Sequence, residues 1–209
     1  MAGTMSKADL VVDLKAVLMD AAKKFTATGD ADFIRHVDVA ALDMGRKRPR
    51  TLVGEITVEA DRNNYPAPAD LLQTKVPLWG NRERRNGNPW DRAWPGRLPR
   101  LMVAETATGR ELWLDPAPTA AQIGLLGSAY KFFYFAGHRI GDAAADTTVQ
   151  ADDRALLLLR VTAQAMQELA NNGVSKPVQL GDGFGIPPKN GAPAALAKDL
   201  MDLFERMAA

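Results

Sequence analysis

The chain has 209 residues, 46% of them hydrophobic and 24% charged, which is ample for a packed core and too apolar for a disordered chain. Lys and Arg total 26 against 25 Asp and Glu, a net charge of +1, so there is no global pull toward nucleic acid or anionic membrane and any electrostatic argument must be local. Cysteine is absent, which removes disulfides, thiolate metal sites and cysteine nucleophiles.

No apolar run approaches the ~18–20 residues of a membrane span. The N-terminus has no basic stretch leading into an apolar one, so a soluble intracellular product is expected. Ser6 has the look of an N-cap, and Leu10, Val11, Leu14, Val17, Leu18, Ala21 and Phe25 recur at helical spacing, predicting a helix from about Lys7 to Phe25. A second helix is expected over Ala31–Met44, with Gly45 as its C-terminal cap. The period then changes to two. Leu52, Ile56 and Val58 alternate with polar residues, and 101–104 and 111–114 read as a hairpin turning at Gly109. Residues 123–135 read as one long strand, or two broken near Gly127, giving a β insertion of three or four strands.

Helix returns near Asp152 and runs to Asn171-Asn172-Gly173, apolar all round at 156–159. Residues 174–192 are rich in Gly and Pro and read as a tether, and Pro193 suits the first position of a last helix. The expected fold is α+β, mainly α: an antiparallel helical bundle with an inserted small antiparallel β region and a C-terminal tethered helix. It is taken as one domain over 1–209, with a helical core at 6–45 and 150–172, the β insertion at 50–136, the tether at 173–192 and the last helix at 193–207.

Little points to catalysis. His36 and His138 lack metal-ligand partners at helical spacing, and the glycines of 181–185 are followed by prolines rather than by a phosphate-cradling helix. A non-enzymatic protein with no cofactor and no metal is expected. The informative stretch is 79–100, a loop holding Trp79, Trp90 and Trp94 beside Arg82, Arg84, Arg85, Arg92, Arg97 and Arg100, opposed only by Glu83 and Asp91. Tryptophan with arginine in an irregular segment is the composition of interface anchors, and it also suits stacking on nucleic acid; the alternative is that the tryptophans fold back to cap the domain core and leave the arginines solvated. The partner-interface candidates are Trp79, Arg82, Arg84, Arg85, Trp90, Arg92 and Trp94, with Leu196, Leu200, Leu203 and Phe204 on the last helix.

Tyr65-Pro66-Ala67-Pro68-Ala69-Asp70 resembles the Tyr-x-x-Pro-x-Asp signature of the head–tail connector (adaptor) proteins of tailed bacteriophages. Leu112-Trp113-Leu114-Asp115-Pro116-Ala117-Pro118 resembles their next strand and Pro-x-Pro segment; Tyr130–Phe135 and 148–170 follow in the same order as their tyrosine-rich strand and long alanine-rich helix. The resemblance implies a homo-oligomeric ring, commonly a dodecamer, in the virion neck. Such a ring binds the portal protein, extends the channel for passing double-stranded DNA without sequence-specific binding, and docks a downstream stopper or tail protein. It further implies that Pro193–Met207 would serve as the portal-docking arm.

Overall fold

The computed structural model describes residues 4–107, 109–183 and 188–209. Two compact units emerge, one made of the chain up to Pro49 together with Gly137–Ala209, the other of Arg50–Ala136. In the first, helix α1 (Lys7–Leu18) is capped by Ser6, whose hydroxyl accepts from the Asp9 N–H at 3.2 Å. The helix is shorter than its apolar stripe suggests. Met19 takes φ 50°, and the chain continues as a tighter 3-10 segment, Met19–Lys24, that still buries Ala21. The Val17 carbonyl at this break accepts from the Gly181 N–H at 2.8 Å.

Helix α2 (Ala31–Lys47) runs past Gly45, which is not a cap but a close-approach residue. A Cβ there would lie 2.9 Å from the His138 backbone nitrogen. Helix α2 packs on the later helix over 154–171.

In the second unit, strands β1 (Arg50–Thr57), β2 (Asn64–Pro66) and β3 (Leu71–Pro77) precede a short helix α3 (Asn81–Asn86). Then come β4 (Arg100–Thr106), β5 (Gly109–Asp115), helix α4 (Ala120–Leu126) and β6 (Ala129–Ala136). Two antiparallel three-stranded sheets result, ordered β1-β6-β3 and β2-β5-β4. Tyr130, Phe132, Tyr134 and Ala136 alternate inward from β6, as period two requires, and join Trp79, Tyr65, Leu71, Leu112 and Leu114 in a core of their own. Gly54 faces Phe132 across the β1–β6 pair, where a Cβ would come within 2.5–3.0 Å of the ring, so only glycine lets the ring lie over the strand. Residues 123–126 are helical rather than extended because Thr119 and Gln122 form a reciprocal capping box.

The first unit closes with helix α5 (Arg154–Asn171), a small hairpin of β7 (Val178–Leu180) and β8 (Lys189–Gly191), and helix α6 (Pro193–Ala208). Leu156–Leu159 are all buried, because α1, α2 and α6 cover α5 from different sides. The Arg160 guanidinium reaches Asp43 of α2 at 2.5 and 2.8 Å, and Arg154 pairs with Asp13 of α1. Glu168 accepts from Arg35 at 2.7 Å and lies 2.7 Å from the Nε2 of fully buried His36.

The expected mainly helical bundle with a small β region is therefore corrected. The protein is mixed α and β, with six α-helices and three small antiparallel sheets among its described residues. The difference comes from strands too short to show a period, such as 64–66 and 189–191, and from two helices that lie within the β unit. Nor is 173–192 simply a tether: its described residues include both strands of the β7–β8 hairpin, while 184–187 lie outside the described residues.

Two outcomes follow from this packing. Phe204→Ala, at a fully buried site, should cost about 3–5 kcal/mol in urea unfolding. The second concerns acid. Burial pulls the Glu168 carboxyl upward, but hydrogen bonds from His36 and Arg35 outweigh it and hold the group below the usual glutamate range. A lowered folded value means that the Glu168 contribution to stability is complete above the ordinary glutamate range. It is lost as pH falls through the lowered value. Glu168→Gln should flatten that acid limb of the stability–pH curve, and an unchanged limb would contradict the assignment.

Candidate interaction surface

The Trp/Arg segment is built outward from a fixed base. Trp79 is that base: it is buried, its Nε1–H donates to the Gly127 carbonyl at 2.9 Å, and its ring lies 5.4 Å from that of Tyr130. Trp79 is thus a core residue and not an interface anchor, a correction to the sequence expectation. Its indole extends the aromatic row of β6.

Gly80, with φ 69°, turns the chain away at a place where a Cβ would meet Leu98 and Leu126. The returning limb is held by Gln122, whose Nε2 donates to the carbonyls of Pro95 and Arg97, both at 2.9 Å. Between these anchors, Asp91 accepts from the Asn88 N–H at 2.8 Å, and the Arg84 guanidinium sits 5.6 Å from the Trp94 ring centroid, leaving Trp94 half-buried.

What this scaffold presents is Trp90, 81% exposed, with Arg82, Arg84, Arg85 and Arg92 exposed around it. Cations elsewhere are mostly neutralised, as in Lys15–Asp30 (2.6 Å), Arg48–Asp153 (2.6 Å) and Arg50–Asp70 (3.0 Å). Among the described residues, Arg82, Arg84, Arg85 and Arg92 form no ion pair, and Arg97 reaches Asp115 only at 4.0 Å. Every cation of 81–100 is arginine, none lysine. Arginine is weakly hydrated and forked, so it suffers less than lysine when a partner strips its water.

The last helix does not supply a free face. Leu196, Leu200 and Phe204 are buried against the helical core and Leu203 is partly buried there, so these four candidates are corrected from docking contacts to packing contacts. The apolar face of α6 is the covering that α5 needs on one side; among the described residues, the exposed large hydrophobic residue of α6 is Met207.

One surface was not anticipated. β6 is apolar on both faces, and its outward Phe133 lies in register between Val53 of β1 and Val76 of β3, both exposed. The row is bordered by Glu55–Lys131 at 3.4 Å. The run Tyr130–Phe135, apolar at odd and even positions apart from Lys131, was the readable signal.

The histidines are structural in their placement. His36 meets Glu168, and His138 lies between the carbonyls of Arg48 (3.0 Å) and Thr148 (3.2 Å). The residues that carry the connector resemblance also have structural work. The Tyr65 hydroxyl accepts from the Glu59 N–H and donates to the Arg62 carbonyl, both at 3.0 Å, while Asp70 accepts from the Tyr134 hydroxyl at 3.1 Å. The chain matches no protein-family model and no curated protein.

The two tryptophans separate experimentally. Trp79→Ala should cost about 3–5 kcal/mol of stability, whereas Trp90→Ala should stay within about 0.5 kcal/mol of wild type. Urea unfolding of both variants checks the contrast, and equal losses would contradict it.

Proposed function

We propose that the chain is a structural subunit of a tailed-phage neck: a head–tail adaptor that forms a ring under the portal, extends the DNA channel and docks the next neck or tail protein. It acts by assembly rather than by catalysis. The observation that carries this reading is the anchored segment 79–100, which holds Trp90 uncovered amid Arg82, Arg84, Arg85 and Arg92, none in an ion pair among the described residues. A large indole left in water is a liability for a lone subunit and an asset at a contact. The ordered connector-like motifs support the same reading; within them Tyr65 ties the 59–62 turn and Asp70 joins β6 through the Tyr134 hydroxyl.

A second reading, a nucleic-acid-binding module, is favoured by the same unneutralised arginines.

Size exclusion with light scattering, on the full chain alone and with the portal of the same genome, tests the first reading. A ring-sized species or a stable portal complex is expected. A chain that stays monomeric at high concentration and ignores portal sinks it. Retention on duplex or single-stranded DNA that falls about as the 0.7–0.9 power of salt per contacted phosphate would favour the second reading instead.

A further inference from the structure

We infer that the Arg/Trp segment docks head to tail on a second copy of this chain, with Trp90 seated in the groove between α1 and the start of α2. The inference rests on the assembly proposed above and names the contact that would build it. The groove has a volume of about 340 Å³, with Val11, Val12 and Ile34 among its apolar lining and Lys7, Asp30 and Asp142 as its charged lining. Val12 is 64% exposed and Trp90 is 81% exposed in the single chain, so both halves of the contact are uncovered.

Charge favours this groove over two others on the helical unit. The segment 81–100 carries six arginines against Glu83 and Asp91. At the groove, Lys7 is already tied to Asp38 at 3.0 Å and Lys15 to Asp30 at 2.6 Å, while exposed Asp142 forms no ion pair among the described residues. A wider groove of about 600 Å³ lies beside Met19, but its cations Lys24 and Lys176 are in no ion pair among the described residues while its carboxylate, Asp20, is tied to Lys23 at 2.7 Å, so arginines would meet a net positive lining there. The groove along α6 offers Leu203 alone as apolar lining among Lys189, Asp199, Asp202 and Arg206, too little to cover an indole.

The two surfaces are different patches on different units, so the contact is heterologous. Such contacts propagate from copy to copy and close into a ring where the rotation permits. An aromatic anchor in an apolar groove, rimmed by complementary charge, is the arrangement in which a few residues dominate affinity.

The test uses two charge-reversed full-length variants. One carries Arg84→Glu, Arg85→Glu and Arg92→Glu; the other carries Asp38→Lys and Asp142→Lys. Each alone has like charges on segment and groove and should fail to assemble while keeping the wild-type circular dichroism. Mixed in equal amounts, each segment finds an opposite groove, and light scattering should recover the wild-type mass. Trp90→Ala, at a site whose exposure makes misfolding no concern, should weaken association on the order of 10-fold or more.

If wild type assembles, alone or on portal, and the variants assemble equally well, the docking site is wrong while the ring stands. A mixture that stays dissociated also overturns it, as does a triple-arginine variant that loses only DNA retention. A wild type that never assembles overturns the ring and this contact together.

Discussion

The β unit depends on one strand having to hide aromatic rings on its inner face while crossing between two partners. Tyr130, Phe132 and Tyr134 need a continuous apolar cover, and the ring-to-ring spacings of 5.4, 6.4 and 5.8 Å from Trp79 to Tyr134 show how it is met. Gly54 makes room for Phe132, and the Tyr134 hydroxyl, which burial and Asp70 push up from its usual value, finds that carboxylate as its acceptor. Trp79 must stay inside this stack, and the segment that follows inherits a rigid root. The exposed position of Trp90 is thus a consequence of where Trp79 is held. A rigid root also reduces the ordering entropy that a contact made by the segment would cost.

The helical unit solves a parallel problem with charge. α5 is covered so fully that Arg154 and Arg160 are themselves nearly buried, and each is matched by a carboxylate from a different helix, Asp13 of α1 and Asp43 of α2. Such pairs add little net stability against apolar substitutes, yet removing one partner strands a buried charge. They therefore fix which helix lies on which side of α5. With those sides assigned, the apolar stripe of α6 takes the side left open, and its leucines and Phe204 are not free for a partner.

Much of this was legible along the chain, and the failures have physical causes. Ser6, the glycine-bearing hairpin at Gly109 and the start of α6 at Pro193 are set by a cap hydrogen bond, a tight antiparallel pair and the fixed φ of proline, and the alternation after Leu52 shows the period of β1 although its partner is the distant β6. Thr119-x-x-Gln122 was also a local signal, but the apolar run behind it hid a helix end and a strand start that Gly127 separates at φ 81°. Strands of three residues show no period at all. An amphipathic stripe on α6 says that something covers it, not what, and the glycines and prolines before it suggested a free linker where the chain instead pairs β7 with β8. The role of Trp79 rests on residues 48 and more positions away, and the His36–Glu168 contact spans 132. Neither has any trace in local spacing.

The same distinction governs the candidate surface. A net charge of +1 suggests an electrically quiet protein, but the quiet is made of short-range pairs such as Lys23–Asp20, Arg46–Asp43 and Arg62–Glu59. At physiological salt an exposed charge is felt over only about 8 Å, so an approaching partner meets the local remainder and not the sum. Over 82–92 that remainder is four arginines, in no ion pair among the described residues, against two carboxylates, Glu83 and Asp91, around an uncovered indole, on a support anchored by Gln122 and Trp79. Exposed pairs elsewhere contribute little to stability, and their larger effect is to leave this segment as a local excess of positive charge on the β unit.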